Sequence, residues 1–355
     1  MKRIVQIGLL LFLLQVSVLA VSYSQVGSPA QASLTQTGSP TQAGTDAPTH
    51  LFRASWDDDY FNFYGKGTDR AYTDGTRFEL IEAKQKSPAF LLDRIMPEAG
   101  DSSINLYSWS ITQLMFTPNN ISKASFQPND YPWSGALFAS HTLYSYNEKK
   151  KMDIQTELIL GVMGPWAMAG QMQTMVHHMI HYIKPMGWDN QYRNNLLLNI
   201  NITGEKQIAQ YENSIEVIAG VHAAAGTMIN ELAVYPIIRI GKMTPYFKGY
   251  ISQYARSKKQ KVQFYFIVKP ALEWVLSNSL LEGGVLPKRS HPVDVKEGGQ
   301  PEGYHPLNHV VPSFAYGPVL SLGHFSMSAT QTVASAWMKG LYGNQYGNVS
   351  FYFSW

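Results

Sequence analysis

Residues 195–202 read Asn195-Leu196-Leu197-Leu198-Asn199-Ile200-Asn201-Ile202, and their alternation decides the fold. Leu196, Leu198, Ile200 and Ile202 fall on one face of an extended strand, and Asn195, Asn199 and Asn201 on the other, because successive strand side chains point to opposite faces. The same period of two returns at 262–274, where Val262, Phe264, Phe266, Val268, Leu272 and Trp274 oppose Gln263, Lys269 and Glu273. It returns at 153–162, where Ile154, Leu158, Leu160 and Val162 oppose Asp153, Gln155 and Glu157. The chain closes on Val349-Ser350-Phe351-Tyr352-Phe353-Ser354-Trp355, alternating to a terminal aromatic residue.

A water-soluble sandwich would alternate too, so the choice rests on other features. These strands are long, and their polar faces keep charged residues at mid-strand. The terminal aromatic segment is similar to the C-terminal signal by which outer-membrane barrels are recognised for insertion. At the other end, Lys2 and Arg3 precede a largely apolar run from Ile7 to Ala20, followed by small residues at Ala20-Val21-Ser22. Residues 1–25 therefore read as a cleavable secretory signal; the apolar run is short for a spanning helix. Residues 26–49 are Ser, Thr, Gln, Gly, Pro and Ala with almost no apolar bulk, a leader that cannot bury enough surface to offset its ordering entropy. The expected domain is 50–355.

Composition agrees. A net charge of +3 gives no reason to expect nucleic acid, and the absence of cysteine removes both a lipoprotein anchor and a disulfide framework. Aromatic residues make up 13% of the chain, with 21 tyrosines, which suits an aromatic-belted barrel. A mean hydropathy of -0.17 rules out a bundle of membrane helices but not a barrel, whose strands are only half apolar. The expected fold is all-β, a transmembrane antiparallel barrel of about twelve strands. Its strands fall at 50–60, 73–83, 105–117, 134–147, 150–163, 190–203, 206–222, 227–241, 260–276, 308–321, 323–337 and 345–355. The stretch 244–256 also looks β-like; counting it would make the number odd, so it is taken as an extended connection. With both termini in the periplasm, the turns at 61–72, 118–133, 164–189, 223–226, 277–307 and 338–344 face outside. Those at 84–104, 148–149, 204–205, 242–259 and 322 face inside.

Two separated segments carry the chemistry, and both lie on the outer side. The first runs from Asp57-Asp58-Asp59 through TDRAYTDG at 68–75. Strict alternation places Arg53, Ser55, Asp57 and Asp59 on one face, and Thr73, Gly75, Arg77 and Glu79 together on the next strand. Asp59 and Thr73 are thus expected in the lumen near the outer rim. Asp58 is sent toward lipid, where a carboxylate is costly, unless a bulge re-aims it or it stands above the hydrocarbon. The second segment is GPWAMAGQMQTMVHHMIH at 164–181, the one convincing helix, starting at Pro165 and stopping before Pro185. Met168, Met172, Met175, Met179 and Ile183 form a stripe at helical spacing, expected to pack inside the barrel. Gln173 and His177 are four apart and share a face, and a histidine above a polar lumen is suited to general-base work.

Other readings are weaker. His177-His178-Met179-Ile180-His181 lacks the Glu that a zincin motif places after its first His. There is no Gly-x-Ser-x-Gly elbow for a serine esterase. Lys149-Lys150-Lys151 reads as a solvated inner hairpin, not a phosphate clamp, and Asn201-Ile202-Thr203 has no use as a glycosylation acceptor in a bacterial barrel.

Taken together, the segments resemble the lipid A 3′-O-deacylase family of Gram-negative outer membranes. Asp57-Asp58-Asp59 is similar to the family's Glu-Asn-Asp, and TDRAYTDG to its Thr-Asp-Arg-x-Tyr-Thr-Asn-Gly. Phe116-Thr117-Pro118 and Asp130-Tyr131-Pro132-Trp133-Ser134-Gly135 resemble Tyr-Thr-Pro and Asp-Arg-Pro-Tyr-Ala-Gly. Gly164, Pro165, Ala167, Gln173 and His177 match the Gly-Pro-x-Ala helix with Gln-x-x-x-His; Gly-Trp-Asp-Asn-Gln stands at 187–191, and Leu281-Glu282-Gly283 resembles Leu-Asp-Gly. The resemblance implies a barrel with the helix beside the site, and Ca²⁺-dependent hydrolysis of the 3′-linked acyl or acyloxyacyl chain of lipid A, similar to that of secreted phospholipase A2. By position, Asp58 and Asp59 would help hold calcium, His177 would activate water, and Gln173 and Thr73 would orient the reacting groups. Asp130, Tyr131 and Arg70 would contact substrate. It further implies a monomer in the outer membrane, with its site toward the outer leaflet and lipopolysaccharide as its partner. Two residues depart from the pattern: Asp58 replaces an Asn and adds charge, and Tyr131 replaces an Arg suited to phosphate. The alternatives are an outer-membrane phospholipase using the same site, and a catalytically silent barrel.

Overall fold

The computed structural model describes residues 48–62, 69–83, 91–255, 262–285 and 305–355. The expected signal peptide, and all but the end of the leader, lie outside them. Twelve antiparallel strands form a closed barrel. They are β1 (His50–Asp58), β2 (Ala71–Ala83), β3 (Ile104–Thr117), β4 (Ser134–Asn147), β5 (Met152–Met163), β6 (Asn195–Tyr211), β7 (Ile215–Gly226), β8 (Ile229–Lys242), β9 (Val262–Asn278), β10 (Val310–Leu322), β11 (Phe325–Ala334) and β12 (Asn344–Ser354). Sequence neighbours pair throughout, and β1 pairs with β12 to remove both edges.

Alternation sorts the wall as the sequence requires. Leu196, Leu198, Ile200 and Ile202 are exposed on the outer face, the correct side for hydrocarbon. The inner face carries ions that would be untenable there. Arg53 and Arg77 both pair with Glu79, at 3.4 Å and 3.1 Å, and Arg77 also reaches Glu157 at 3.1 Å. Ser108 and Tyr144 each donate to Glu79 at 2.8 Å. A buried charge is tolerable only when paired and hydrogen-bonded in this way.

The segment after β8 is not an extended connection. It coils through a 3₁₀ turn (Tyr246–Lys248) and a helical turn, Tyr250–Gln253, and folds into the inner end of the lumen. The Tyr250 hydroxyl accepts from Arg53 at 2.8 Å, Tyr254 stacks on Tyr352 with ring centroids 3.9 Å apart, and Ser326 donates to the Tyr254 carbonyl. Its aromatic side chains, which looked like strand residues, cover lumen polar groups instead. The count of twelve strands is unchanged. At the outer end Tyr72, Phe116, Tyr131, Met338, Trp337 and Tyr346 pack together. Between these two plugs lies a polar cavity of about 580 Å³, lined by Arg53, Asp57, Arg77, Lys269 and Asn348 among others.

One hairpin is displaced from its expected place. Gly204-Glu205 is not a turn: β6 continues to Tyr211, β7 starts at Ile215, and the next outer turn falls at 227–228 in place of 223–226. Glu205 stays in the strand because its carboxylate points inward, accepting from Tyr235 at 2.9 Å and from Tyr246 at 2.5 Å.

On the inner side, residues 91–99 climb the outer face of β3 and β4. His141 Nε2 lies 2.5 Å from Asp93 Oδ1, and its Nδ1 is 2.9 Å from the Ser108 carbonyl. Ala99 donates to Ser145 and accepts from Asn147. These outward polar side chains would be costly against acyl chains, and the segment covers them while leaving Leu91 and Ile95 exposed.

Candidate functional site

The helix of the β5–β6 connection sits on the outer wall of the barrel. In β3, Thr112 and Leu114 line the lumen cavity, whereas Trp109 and Ile111 are 56% and 51% exposed on the other face. Gln113, Met115 and Thr117 continue that outer face by alternation. Gln113 donates to the Ala167 carbonyl at 2.7 Å, and Met115 packs with Ala169, Trp133, Trp188 and Ile121.

Pro165–Ala167 form a separate 3₁₀ turn, and Met168 takes a left-handed conformation before the helix proper, α1 (Ala169–Ile180). His181, at φ 57°, closes it with an N–H to the His177 and His178 carbonyls. The buried face is Ala169, Gly170, Gln173 and His177, not the methionines. Met168, Met175 and Ile183 are exposed, so the expected packing of that stripe inside the barrel does not occur. The small residues win the inner face because the wall demands close approach. A Cβ on Gly170 would lie 2.7 Å from the Trp188 ring, and one on Gly135 of β4 would lie 2.4 Å from the Ala169 Cβ.

Asp59 and Thr73 are not lumen residues. β1 ends at Asp58, and Asp59–Phe61 form a 3₁₀ turn at the rim. Asp58 faces outward, opposite Asp74 in register, and caps that turn by accepting the Tyr60 N–H at 2.7 Å. Asp59 is buried and accepts the Arg70 N–H at 2.8 Å. In β2 the register against β3 slips between Tyr72 and Asp74; this bulge gives the lumen side to Tyr72 and turns Thr73 to the wall. Tyr72 lies over Gly75, where a Cβ would meet its hydroxyl at 2.0 Å, and donates to Asp57 at 2.7 Å. Thr73 Oγ1 is 2.7 Å from Thr117 Oγ1.

Asp69 joins the two segments. Its Oδ1 accepts from Gln173 Nε2 at 3.1 Å and faces His177 Nε2 at 3.3 Å. Gln173 is held from behind, because Trp188 Nε1 donates to its Oε1 at 2.7 Å. His177 Nδ1 lies 2.5 Å from the Ile183 carbonyl, which requires the proton on Nδ1 and leaves Nε2 toward the rim acids. Burial alone would depress the His177 pKa, but the bond to Asp69, its charge and the Ile183 carbonyl raise it above the ordinary value. Asp59 is pushed up to about 10 by burial and by the charges of Asp58 and Asp69, against the opposing Arg70 N–H.

That crowding leaves negative charge at the rim to be met by protons or a cation. Carboxylates and a threonine hydroxyl are oxygen donors suited to a hard divalent ion. Among the described residues, no three acidic or imidazole side chains converge into a preformed metal cage.

The expected site residues are therefore brought together, with one exception. Thr73, Gln173, His177, Asp58 and Asp59 gather on the wall side of the rim. Arg70 and Asp130 lie beside them, lining a second pocket. Tyr131 is fully buried; its hydroxyl donates to the Tyr342 carbonyl at 2.9 Å and accepts the Trp337 N–H at 3.1 Å. It braces the outer plug and presents nothing to a ligand. Asp69 and Trp188 were missed, though both stand in the quoted motifs. The usable signal was that a carboxylate beside a histidine favours its charged form, and Asp69 is the acid of the Thr-Asp-Arg run.

The profile of the family described as Outer membrane protein LpxR matches residues 19–355. Among solved structures, LpxR from Salmonella typhimurium is similar, with a TM-score of 0.67 at 16% identity, covering 86% of this chain and 100% of that one. That likeness concerns the fold. The beta domain of the Bordetella autotransporter BrkA scores 0.41 at 9% identity, over 87% of this chain and 100% of that one. The translocator domain of NalP from Neisseria meningitidis scores 0.39 at 9%, over 88% and 90%; both are too loose to carry an argument. No curated protein sequence matches the chain.

Proposed function

The chain belongs to the LpxR family of outer-membrane proteins, and from that premise we propose that it is a hydrolase removing the 3′-linked acyl chain of lipid A. The observation that carries this reading is the Asp69–His177 pair, with Gln173 beside it, in a seam between α1 and the outer wall. An acyl ester of an outer-leaflet lipid reaches that seam from the side, with its chains still in hydrocarbon. A lumen filled by aromatic side chains near both ends gives no support to a transport role.

The roles follow from the bonds. Ile183 keeps the proton on His177 Nδ1, so Nε2 is the atom that takes a proton from water. The water oxygen bonds to the ester carbonyl carbon, the carbon–oxygen bond to the sugar breaks, and His177 returns its proton to the departing sugar oxygen. The products are a free carboxylic acid and a sugar hydroxyl. The Ile183 carbonyl orients the imidazole, and Asp69, facing Nε2, stabilises the charged form once that nitrogen carries the proton. Gln173, locked by Trp188, holds Asp69 in place, and the Thr73 hydroxyl beside Thr117 positions the substrate. Calcium, when bound, would polarise the ester carbonyl and offset oxyanion charge, with Asp58 and Asp59 as its donors.

The test is mass spectrometry of lipid A from cells making wild type or His177→Ala, with and without a calcium chelator. Loss of the 3′ acyl chain only with intact His177 and free calcium is expected. Unchanged lipid A with wild type sinks the substrate, and activity in His177→Ala sinks the mechanism. Release of plain fatty acids from glycerophospholipid, without hydroxylated or acyloxyacyl chains, would assign the same site to a phospholipase.

A further inference from the structure

Tyr146, Asp153 and Glu205 form a row across the inner end of the lumen. Tyr146 stands opposite Asp153, and Asp153 opposite Glu205, in the adjacent strands β4, β5 and β6. Directly opposed residues lie about 5 Å apart. Alternation from Tyr144 and Glu157 turns Tyr146 and Asp153 inward, beside Glu205, and all three are buried, at 0%, 0% and 5% exposure. The row continues through Gly220 of β7 to Tyr235 of β8. A Cβ on Gly220 would lie 2.2 Å from the Tyr235 ring, so glycine is what lets that ring cross β7 and reach Glu205.

Two carboxylates side by side repel unless a proton or a cation lies between them. The bonds these two accept come from neutral donors: Gln155 to Asp153 Oδ2 at 2.8 Å, Tyr235 to Glu205 Oε1 at 2.9 Å and Tyr246 to Glu205 Oε2 at 2.5 Å. Lys269 rests on the Tyr235 ring, 3.7 Å from its centroid, and makes none of them. Such bonds favour the ionised acids and neutralise neither. Two more oxygens belong to the same space. Asp153 Oδ1 and Tyr146 Oη are buried with no hydrogen-bond partner among the described residues. The Tyr146 hydroxyl feels the charge of both carboxylates, and its ring centroid lies 6.0 Å from that of Tyr246. Buried oxygens left unmatched are costly. One proton would leave a net negative charge here and no use for the Tyr146 oxygen. A divalent ion cancels both charges and takes oxygen ligands from all sides.

We propose that this row is a structural cation site at the inner end of the lumen, taking a hard divalent ion such as calcium. Asp153 and Glu205 supply its charge, and Tyr146 and Tyr246 its further oxygens. It is separate from the rim, because Asp58 closes β1 at the outer end whereas Asp153 opens β5 at the inner one. Tyr246 belongs to the segment folded into the lumen, so the ion fastens that plug to β5 and β6.

The test counts ions in protein whose rim donors have been neutralised. Full-length Asp58→Asn/Asp59→Asn protein in detergent micelles is stripped of metal and dialysed to equilibrium against radioactive calcium. It should bind one ion per chain, and calcium should slow proteolysis within 246–254. Adding Asp153→Asn or Glu205→Gln should weaken that binding at least tenfold and abolish the protection. Tyr146→Phe, which keeps the ring and both charges, should weaken it severalfold and guards against misfolding of the acid variants. The gel-mobility shift of folded barrels on heating shows which variants are closed. In the otherwise wild-type chain, Asp153→Asn should lower the number of bound ions by one. No calcium bound by the rim variant would overturn the proposal. So would unchanged binding in the Asp153 and Glu205 variants, or proton uptake by the pair with no ion bound.

Discussion

Asp69 and His177 face each other at 3.3 Å across the joint between the β1–β2 connection and α1. One carboxylate therefore fastens the helix to the rim and sets the charge state of its histidine. Removing the carboxylate alone separates these effects. In Asp69→Asn the His177 pKa should fall below its present raised value, since burial is then opposed only by the Ile183 carbonyl and more distant acids. The acid limb of the rate profile should move to lower pH, with kcat reduced about 10- to 100-fold. Imidazole NMR titration checks the shift. The sign for stability follows: a histidine raised in the fold stabilises it fully below the unfolded value near 6.5, and the contribution is lost as pH rises through the folded value. An unshifted imidazole in Asp69→Asn would show that the pair is only steric.

Trp188→Phe removes the donor to Gln173 Oε1 and keeps most of the packing against Ala169. A single buried hydrogen bond contributes about 1 kcal/mol, so melting should change little. Turnover should fall about tenfold as Gln173 loses its fixed orientation. Steady-state kinetics beside a thermal melt distinguishes this from general damage, which would lower both.

Asp59→Asn tests the crowded acids. A carboxyl held near 10 in the fold, against about 3.9 unfolded, costs the cation-free fold stability progressively as pH rises between those values. Protection factors of the rim amides at 59–62 and 69–75, taken relative to the base-catalysed intrinsic rate and without divalent ions, should therefore fall from pH 5 to pH 9 in wild type. The asparagine variant should lose this dependence. At fixed pH, calcium should raise rim protection in wild type and not in Asp59→Asn; an equal rise in both would rule out Asp59 as a calcium donor.

His141→Ala leaves the buried Asp93 carboxylate on the outer wall without its partner. Breaking such a pair costs about 3–5 kcal/mol. Limited proteolysis should then cut within 91–99 while α1 remains protected, because the two elements cover opposite ends of the same β3–β4 wall.

The barrel was legible because half of each strand is constrained by hydrocarbon and half by buried polar pairs, as 195–202 illustrates. The rim was less legible, because alternation fails where strands end. Thr73 left its expected face through one bulge, and Asp59 through one 3₁₀ turn. Neither follows from the pattern; both depend on Tyr72 filling the lumen and on Asp58 capping the turn. The methionine stripe misled for a related reason. Hydrophobic spacing was a true helical signal, but the wall selected small residues such as Gly170, whose place is set by Trp188 far along the chain. Tyr246, Tyr250 and Tyr254 looked β-like and were expected in an extended connection, because composition does not distinguish a membrane belt from a folded plug.

The wall-side position of His177 changes what concentration means for this protein. A substrate that arrives sideways never becomes a solute, so turnover should follow its mole fraction in the surrounding film and not its amount per litre. Diluting lipid A with inert amphiphile at constant total lipid A should slow the reaction, whereas diluting the whole suspension with buffer should not. The barrel then serves as a gauge of height, fixing how far above the acyl layer an ester must stand before the imidazole can reach it.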